Sequence, residues 1–224
     1  MRRARLLIIA GIAIATYAGY VRPRLLRWGA SSEELTRAFP GAEIISGGIR
    51  SATMAVTFNA PPNEVWPWLV QMGCGRAGWY SWDSLDNGGI ASAERIHPEW
   101  QKIQVGDRVA SSPSGSAWFE VAACDRPHFF ALRAPLDLRG RPFDTASGRP
   151  RWFSDSLWAF ELTELPNAQT RIVVSGYNAI RPHHLGAVGN FLIWEPAHWV
   201  MQTRQFANLR RRVERSGTNG CSTR

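Results

Sequence analysis

The pattern of hydrophobic positions begins with an uncharged run over residues 6–21, which follows three arginines in the first five positions. As a helix this run would be about 24 Å long, close to the roughly 30 Å hydrocarbon core of a bilayer. Tyr17 and Tyr20 would then lie near a membrane interface. The pattern predicts a single-pass membrane anchor within residues 1–27.

Two other interpretations of this run stay open. Ala13 and Ala15 form a small-x-small pattern, which would suit cleavage of a short signal peptide. An amphipathic or buried helix of a soluble protein is the other alternative. Because Arg22, Arg24 and Arg27 follow the run and balance the arginines before it, the distribution of positive charge assigns no orientation in a membrane.

Residues 51–59 alternate between apolar and polar positions, which predicts a half-buried strand. Pro61 and Pro62 end this strand, and proline is well tolerated in the first turn of a helix. Apolar residues then recur at helical spacing from Val65 to Met72. The sequence therefore predicts a strand that leads directly into a helix.

Beyond Gly89 the chain changes to short apolar stretches separated by turns. We predict five further strands, at residues 108–112, 117–123, 128–134, 157–162 and 171–177. The turn at Pro166 and Asn167 favours antiparallel pairing of the strands beside it. Residues 139–154 are rich in arginine, glycine and proline, which predicts a mobile loop.

The last predicted element is a helix over residues 196–215, which would be about 30 Å long and starts at a proline. One stripe of this helix carries His198, Gln202, Phe206, Leu209 and Val213. Its start is polar and the rest is apolar. A polar start indicates either side chains that line a cavity, or a core histidine and glutamine satisfied by hydrogen bonds.

These patterns divide the chain into four parts. Residues 1–27 are the predicted anchor, and residues 28–50 are a connector that packs on the domain. Residues 51–215 form the folded domain. Residues 216–224 are predicted to be a disordered tail.

Composition supports a globular domain with a large aromatic core or an aromatic cavity, because 45% of residues are hydrophobic and 11 are tryptophan. The net charge of +8 is concentrated at the ends of the chain. Residues 1–27 hold six arginines and no acid, and residues 204–224 hold six arginines and one glutamate. Because the middle is slightly acidic, nucleic-acid binding is not expected.

The sequence indicates neither a metal site nor a cofactor. The three cysteines are odd in number and far apart, and the five histidines have no ligand spacing. A glycine pattern at residues 73–78 matches a dinucleotide fingerprint by letter. It follows a predicted helix, however, whereas the fingerprint must follow a strand and open a helix.

Residues 71–101 concentrate polar and charged side chains between tryptophans. The set comprises Gln71, Arg76, Tyr80, Asp83, Asp86, Glu94, Arg95, Glu99 and Gln101, with Trp79, Trp82 and Trp100. Burial among aromatic rings raises the pKa of a carboxylic acid and a nearby guanidinium lowers it, so this mixture could tune a general acid or base. We favour a structural interpretation, in which Arg76 and Arg95 pair with Asp83 and Glu99 and hold two short helices together.

The chain resembles the SRPBCC superfamily, which includes the START lipid-transfer domains, the birch pollen allergen and the polyketide cyclases. The resemblance lies in the strand that leads into a helix at residues 59–66 (NAPPNEVW), the antiparallel strands and the long terminal helix. Residues 71–83, 92–96 and 98–99 are similar to a bacterial subfamily of that superfamily. The resemblance covers residues 33–215.

The resemblance implies an α+β helix-grip fold. In this fold a curved antiparallel sheet of six or seven strands wraps around a long C-terminal helix, with two short helices after the first strand; here an N-terminal hydrophobic helix would precede it. It also implies an elongated hydrophobic cavity between sheet and helix. Members bind lipids, sterols, polyketides or plant hormones, and a minority are enzymes. Since the superfamily has no shared catalytic residue, the resemblance assigns no reaction.

The leading hypothesis is a membrane-tethered binder or carrier of an apolar small molecule, such as a lipid, a polyketide or an isoprenoid-like compound. The predicted ligand-binding residues are Gln71, Trp79, Tyr80, Trp82, Trp118, Trp158, His198, Gln202 and Phe206. The implied partners are this molecule and the membrane, through residues 6–21. The oligomeric state and the side of the membrane stay open.

Two alternatives belong to other functional classes. One is an enzyme of the cyclase or dehydratase type. In that case Tyr80, Asp83, Arg95, Glu195 and His198 would supply acid/base groups and oxyanion stabilisation. The other is a structural membrane domain whose interior is filled by its own tryptophans.

Overall fold

The computed structural model describes residues 2–220, except the side chains of Arg2, Ala4, Leu185 and residues 217–220. The helices are α1 (Arg2–Thr16), α2 (Arg22–Leu26), α3 (Ser32–Thr36), α4 (Pro62–Val70), α5 (Asp83–Asp86), α6 (His183–Gly189) and α7 (Glu195–Gly220), with π-helical stretches at Tyr17–Val21 and Asn190–Trp194 and a 3₁₀ turn at Pro98–Trp100. The strands are β1 (Ile49–Arg50), β2 (Met54–Phe58), β3 (Arg108–Ala110), β4 (Trp118–Asp125), β5 (Phe129–Asp137), β6 (Phe153–Leu165), β7 (Gln169–Ser175) and β8 (Tyr177–Arg181).

The eight strands form one antiparallel sheet in the order β1-β8-β6-β5-β4-β3, and β2 joins it by pairing with β7. Strand β6 has 13 residues, which lets it pair with β8 along its first part and with β7 along the rest. Between β7 and β8, a side chain at Gly176 would place its Cβ 1.8 Å from the carbonyl oxygen of Leu157. Glycine is therefore required where one strand changes into the next.

The predicted α+β helix-grip arrangement is confirmed, with one difference in the number of strands. We predicted six or seven, whereas the sheet has eight. Strand β1 has only two residues, and β8 continues β7 after Gly176, so the sequence pattern merges them with their neighbours. The predicted passage from strand to helix is also present, since Pro61 is extended and Pro62 lies in the first turn of α4.

Helices α4 and α7 pack on one face of the sheet, which we call the inner face and which carries Val121, Phe130 and Phe160. The apolar part of the predicted stripe on α7, Phe206, Leu209 and Val213, is buried there, with at most 2% of each residue exposed. Burial of such side chains contributes about 1.5–3 kcal/mol each. The same core contains Trp66, Trp68 and Tyr80.

The connector, residues 28–50, covers the opposite, outer face of the sheet. Phe39 and Ile45 are buried there against a second core. Its strand positions include small residues, Ala55, Ala131 and Ala159, which let the connector approach the sheet closely. Ion pairs of Arg171 with Glu34 and of Arg37 with Glu161 fasten the connector at its edge.

The two ends of the chain are helical. Residues Arg5–Leu26 form one helix that is long and apolar enough to cross a membrane, and none of its most apolar window is buried. At the other end α7 continues to Gly220, so the part of the predicted disordered tail from residue 216 to residue 220 is helical. Residues 221–224 of that tail lie outside the described residues.

Candidate functional site

An aromatic cluster lies on the inner face beside the first turns of α7. It consists of Trp79, Phe119, Trp158 and Phe160. Ring centroids are 5.4 Å apart for Trp79 and Phe119, and 5.7 Å for Trp79 and Trp158. Tilted and edge-on rings at these distances attract one another by about 0.5–1.5 kcal/mol beyond their area burial. Phe119 and Trp158 are half-buried, so the cluster reaches the surface.

The polar positions of α7 bind this cluster and the segment that follows α4. The Trp158 indole N–H donates to Gln202 Oε1 (3.1 Å), and Gln202 Nε2 donates to Gln205 Oε1 (2.7 Å). Gln205 Nε2 in turn donates to the carbonyl oxygen of Trp79 (2.9 Å). One helical turn later Asn208 Nδ2 donates to the carbonyl of Tyr80 (2.9 Å). These buried amides are satisfied within the protein, as buried polar groups require.

Two residues near the start of α7, His198 and Trp199, differ from these amides in their surroundings. His198 lies one helical turn before Gln202, and burial lowers its pKa to about 4, so the ring is neutral at pH 7. Trp199 packs against the core with its indole N–H buried, and among the described residues that N–H has no acceptor. An unpaired buried donor costs about 1–3 kcal/mol, and a bound acceptor would remove that cost.

The space that we expected to be an elongated cavity contains the side chains of the core and the aromatic cluster. Two surface depressions lie elsewhere. One, of about 400 Å³, is bordered by Gly19, Pro23, Arg24 and Arg27. The other, of about 460 Å³, is on the outer face around Glu34 and Arg171. Packed aromatic and aliphatic side chains therefore occupy the space between the sheet and α7.

Gln71 and Tyr80 lie in the core beneath α4. Gln71 is fully buried; its Nε2 donates to Tyr80 Oη (2.6 Å), and its Oε1 accepts from the backbone N–H of His97 (3.0 Å). Burial raises the pKa of the Tyr80 hydroxyl well above its ordinary value, and the backbone of Tyr80 is in the left-handed region with φ of 57°. This pair holds residues 71–97 together, and at neutral pH Tyr80 remains protonated.

The charged side chains of residues 71–101 also make structural contacts, though with other partners than we predicted. Asp83 accepts from the hydroxyl of Ser92 (2.5 Å). Arg76 donates to the carbonyls of Val70 and Trp100, both at 2.9 Å. Ion pairing of Arg76 with Asp83 is therefore not the contact that holds this region together: two backbone carbonyls accept from one terminal nitrogen of the half-buried guanidinium, and its Nε has no partner among the described residues.

The other two members of the predicted pairs, Arg95 and Glu99, are exposed. Glu99 contacts His97 at 3.1 Å, and only the carbonyl group of Arg95 is engaged in the core, where it accepts from Gln71 (3.1 Å). Glu94 pairs with Arg212 of α7 (2.6 Å). The ion pair between this segment and α7 thus comes from an arginine far along the chain, which spacing alone could not indicate.

Asp86 is the most unusual carboxylate of this segment. Neither of its two side-chain oxygens has a hydrogen-bond partner among the described residues. Burial raises the pKa of this carboxyl group to about 6. Its backbone carbonyl accepts from the thiol of Cys74 (3.1 Å), and that sulfur also accepts from the indole N–H of Trp79 (3.4 Å). Asp86 is thereby connected to the aromatic cluster.

The five candidate catalytic residues do not converge. Tyr80 lies in the core, Asp83 binds Ser92, and Glu195 pairs with Arg22 of the N-terminal helix. Arg95 is exposed. His198 alone of the five lies on the stripe that reaches the aromatic cluster.

The predicted ligand-binding residues divide into three groups. Trp79, Trp158 and Gln202 meet at the aromatic cluster, and His198 lies one turn away. Gln71, Tyr80 and Phe206 are in the core, and Phe206 stacks with Trp28 at 5.9 Å. Trp82 is exposed beneath Arg204, and Trp118 lies beside Arg108.

Trp118 and its neighbour Phe119 correct the predicted lining. Successive strand residues point to opposite faces, and Val121 is fully buried on the inner face, so Phe119 points inward and Trp118 outward. Phe119, Trp199 and Gln205 are the residues of this site that sequence reasoning missed. The position of Phe119 two residues before the apolar Val121 is the signal that could have found it.

No family model and no curated protein matches this chain. Among solved structures, a protein from Arthrobacter aurescens is similar over 80% of this chain and 92% of its own length, with 14% identity and a TM-score of 0.43. CalU16 from Micromonospora echinospora is similar over 75% and 85%, with 14% identity and a TM-score of 0.34. DynU16, a protein in the dynemicin biosynthetic locus, is similar over 72% and 46%, with 14% identity and a TM-score of 0.41.

Proposed function

We propose that this protein is a membrane-tethered domain that binds an apolar small molecule, a lipid, polyketide or isoprenoid-like compound, against the aromatic cluster at the start of α7. The observation that carries the proposal is the buried indole N–H of Trp199, which has no acceptor in the part of the chain that the structure describes. It lies one turn from Gln202 and the half-buried Trp158, on the same helix that closes the inner face. An apolar molecule with one carbonyl, hydroxyl or ether oxygen would satisfy that donor.

Apolar contact would be the main attraction at this site. Covering about 300 Å² of apolar surface contributes on the order of 7 kcal/mol before the costs of association. Because side chains occupy the interior, the ligand binds by displacing half-buried rings such as Phe119 and Trp158 rather than by entering an open cavity. His198 stays neutral beside it and adds no charge to an apolar site.

The tether is the helix Arg5–Leu26, whose uncharged part, residues 6–21, is about 24 Å long and comes close to the roughly 30 Å hydrocarbon core. Its apolar side chains are exposed to 60% or more: Leu6, Leu7, Ile8, Ile9, Ile12 and Ile14. A core helix would bury such residues. In water this surface is unfavourable, whereas lipid acyl chains would cover it.

The test is the purified full-length protein in lipid nanodiscs, extracted with organic solvent and analysed by mass spectrometry, and titrated with the fluorescent apolar probe 1-aminoanthracene and competing lipids. We expect a co-purified apolar compound, and competition by oxygen-bearing compounds that weakens about three- to tenfold in Trp199→Phe, since one hydrogen bond is lost. Trp152→Phe is the matched control, because Trp152 is 41% exposed, lies beside Arg151 and is not among the predicted ligand-binding residues. Equal affinities in both variants would contradict the site.

A structural membrane domain with a filled interior is the second candidate function, and the packing of the inner face favours it. Trp66, Trp68 and Phe160 are each at most 2% exposed. This candidate predicts that extraction releases only bulk membrane lipid and that no apolar compound competes with the probe. The same experiment therefore separates the two functions.

The enzymatic alternative stays a prediction, and of its five candidate catalytic residues only His198 lies near the aromatic cluster. A cyclase or dehydratase would need acid/base groups at the ligand, and His198 is the candidate nearest the aromatic cluster. If a reaction is found, we expect it to depend on His198 and not on Asp83 or Glu195, whose side chains bind Ser92 and Arg22. Loss of that reaction in Asp83→Asn with unchanged folding would contradict this expectation.

A further inference from the structure

Residues 183–194 form a helical segment between β8 and α7. Its first turns pack against β8, where Gly186 faces Ile180, and its exposed apolar side chains begin at Val188. The segment comprises α6 and the π-helical stretch Asn190–Trp194, and contains no Asp, Glu, Lys or Arg. Four large apolar side chains of this segment are exposed to between 58% and 70%: Val188, Leu192, Ile193 and Trp194. An apolar surface of this kind usually marks contact with a membrane or another protein.

This segment packs against the N-terminal helix at two levels. The hydroxyl of Tyr17 donates to the carbonyl of Phe191 (3.0 Å), and their rings meet edge-on at 5.0 Å. The second contact lies five residues after Tyr17 and four residues after Phe191. There Arg22 donates two hydrogen bonds to Glu195, of 2.5 and 2.8 Å. Because the contacts occur in the same order along both helices, the two helices run parallel. Their exposed apolar surfaces are therefore neighbours.

Polar groups mark where this shared apolar surface ends. The Arg22–Glu195 ion pair is followed on the N-terminal helix by Arg24, which lies over the ring of Tyr20 at 3.5 Å. Trp194 precedes Glu195 directly, a position typical of tryptophan at a membrane interface. Arginines at this level would meet anionic headgroups, and the residues before it would meet acyl chains.

We propose that residues 183–194 insert into the membrane leaflet nearest the domain, beside the N-terminal helix, so that the protein contacts the bilayer through two helices rather than one. The partner of the exposed face is the acyl chains of phospholipids. The inference rests on the proposed membrane tether. The part with exposed apolar side chains, residues 188–194, is about 10 Å long as a helix, which is too short to span the bilayer, so it enters one leaflet only.

The placement has a consequence for the candidate binding site. Glu195 is held at the headgroup level by Arg22, and His198 and Trp199 follow within the next turn of α7. The unpaired indole N–H of Trp199 is therefore at the membrane surface. An apolar ligand would pass from the leaflet to the aromatic cluster without crossing water.

The inference is tested with the full-length protein in nanodiscs of phosphatidylcholine and phosphatidylglycerol that contain a phosphatidylcholine with a diazirine in one acyl chain. After irradiation, mass spectrometry maps lipid adducts on peptides. We expect adducts on residues 6–21 and also on 183–194. Adducts on 6–21 alone would overturn the inference and leave the tether intact, whereas adducts on neither segment would overturn both. Crosslinks between two copies at 183–194, without lipid adducts there, would assign the face to self-association.

A matched pair of variants sharpens this test. Leu192→Asp with Ile193→Asp should reduce adducts on 183–194 at least about fivefold, because a charged aspartate is strongly disfavoured among acyl chains. Leu85→Asp with Ile90→Asp changes two equally exposed apolar residues outside the segment and should leave adducts unchanged. If the first variant folds poorly, Leu192→Ser alone should still lower the yield; an unchanged yield in both would contradict the proposal.

Discussion

The two halves of α7 differ in what they contact. Toward its C-terminal end, Phe206, Leu209 and Val213 pack against the inner face and are almost fully buried. Toward its start, His198 and Trp199 are only half-buried, and the Trp199 indole has an unpaired N–H. Identical helical geometry thus serves two purposes. The apolar half fixes the helix to the sheet. The polar half leaves one buried hydrogen-bond donor, the Trp199 indole N–H, without an acceptor among the described residues.

The largest effect that this comparison predicts is on stability at the apolar half. Leu209→Ala removes a side chain that is 1% exposed, and the free energy of unfolding should fall by about 2–5 kcal/mol because a cavity remains. Urea denaturation followed by circular dichroism measures it. Ala207→Ser, on the exposed side of the same turn, should change stability by less than about 0.5 kcal/mol. A small effect at Leu209 would mean that both halves are loosely packed.

A smaller loss is expected where the two halves meet. Gln205→Leu leaves the Trp79 carbonyl and the Gln202 amide without their partner, so the unfolding free energy should fall by about 1–3 kcal/mol. Thr203→Val, whose hydroxyl bonds only within α7, is the control. Equal unfolding free energies of the two variants would show that the amide chain does not hold α7 to the segment after α4.

Asp86 and His198 should give stability opposite dependences on pH. Burial raises the pKa of Asp86 from 3.8 to about 6, so its contribution falls as pH rises through this window and stays low above it. Burial lowers the pKa of His198 from 6.5 to about 4, so its contribution is complete above about pH 6.5 and is lost as pH falls toward 4. In the parent protein the two slopes oppose each other.

Single substitutions would separate these slopes. Asp86→Asn should give an unfolding free energy that rises from pH 4 to 6.5 and exceeds the parent's at pH 7 by about 1 kcal/mol, after discounting for partial exposure. His198→Gln should give one that falls over the same range. Urea denaturation at intervals between pH 4 and 8 measures both. Parallel profiles for the parent and both variants would contradict the assigned causes.

The smallest predicted effect sharpens the contrast between binding and stability. Trp199→Phe removes a buried donor for which the described residues offer no acceptor, so the unfolding free energy of the ligand-free protein should stay equal or rise by up to about 1 kcal/mol. The measurement is thermal or urea unfolding of protein stripped of apolar compounds. A clear loss of stability would indicate that the indole N–H has an internal partner after all.

Local patterns in the sequence were sufficient for the elements that position the site. Strand β2, the prolines at the start of α4 and the stripe on α7 each follow from the geometry of one element, and the structure contains all three. The prediction that β2 is half-buried was wrong, because the connector covers its other face at Ala55. Strand β8 was not separable from β7, because the change of partner at Gly176 depends on the backbone of Leu157, which is distant in sequence. Such requirements are invisible to periodicity.

The candidate site was predictable only in part, because several of its contacts join residues that are distant in sequence. Trp79, Trp158 and Gln202 were anticipated, whereas the register of β4 was not, and Phe119 was passed over for Trp118. A glutamine on a core-facing stripe is compatible with an empty cavity or with an internal partner. Gln202 binds Trp158 and Gln205, which lie on two different elements, so only the tertiary structure decides.

The ion pair between Arg22 and Glu195 has a practical meaning for anyone preparing this protein. Removing the first 27 residues, a common step toward a water-soluble version, would strip Glu195 of its guanidinium and uncover the ring of Phe191. Such a truncated chain would expose the apolar residues from Phe191 to Trp194 to water, and we expect it to aggregate. A shortened version should therefore also replace Leu192, Ile193 and Trp194 with hydrophilic residues before its behaviour in solution is judged.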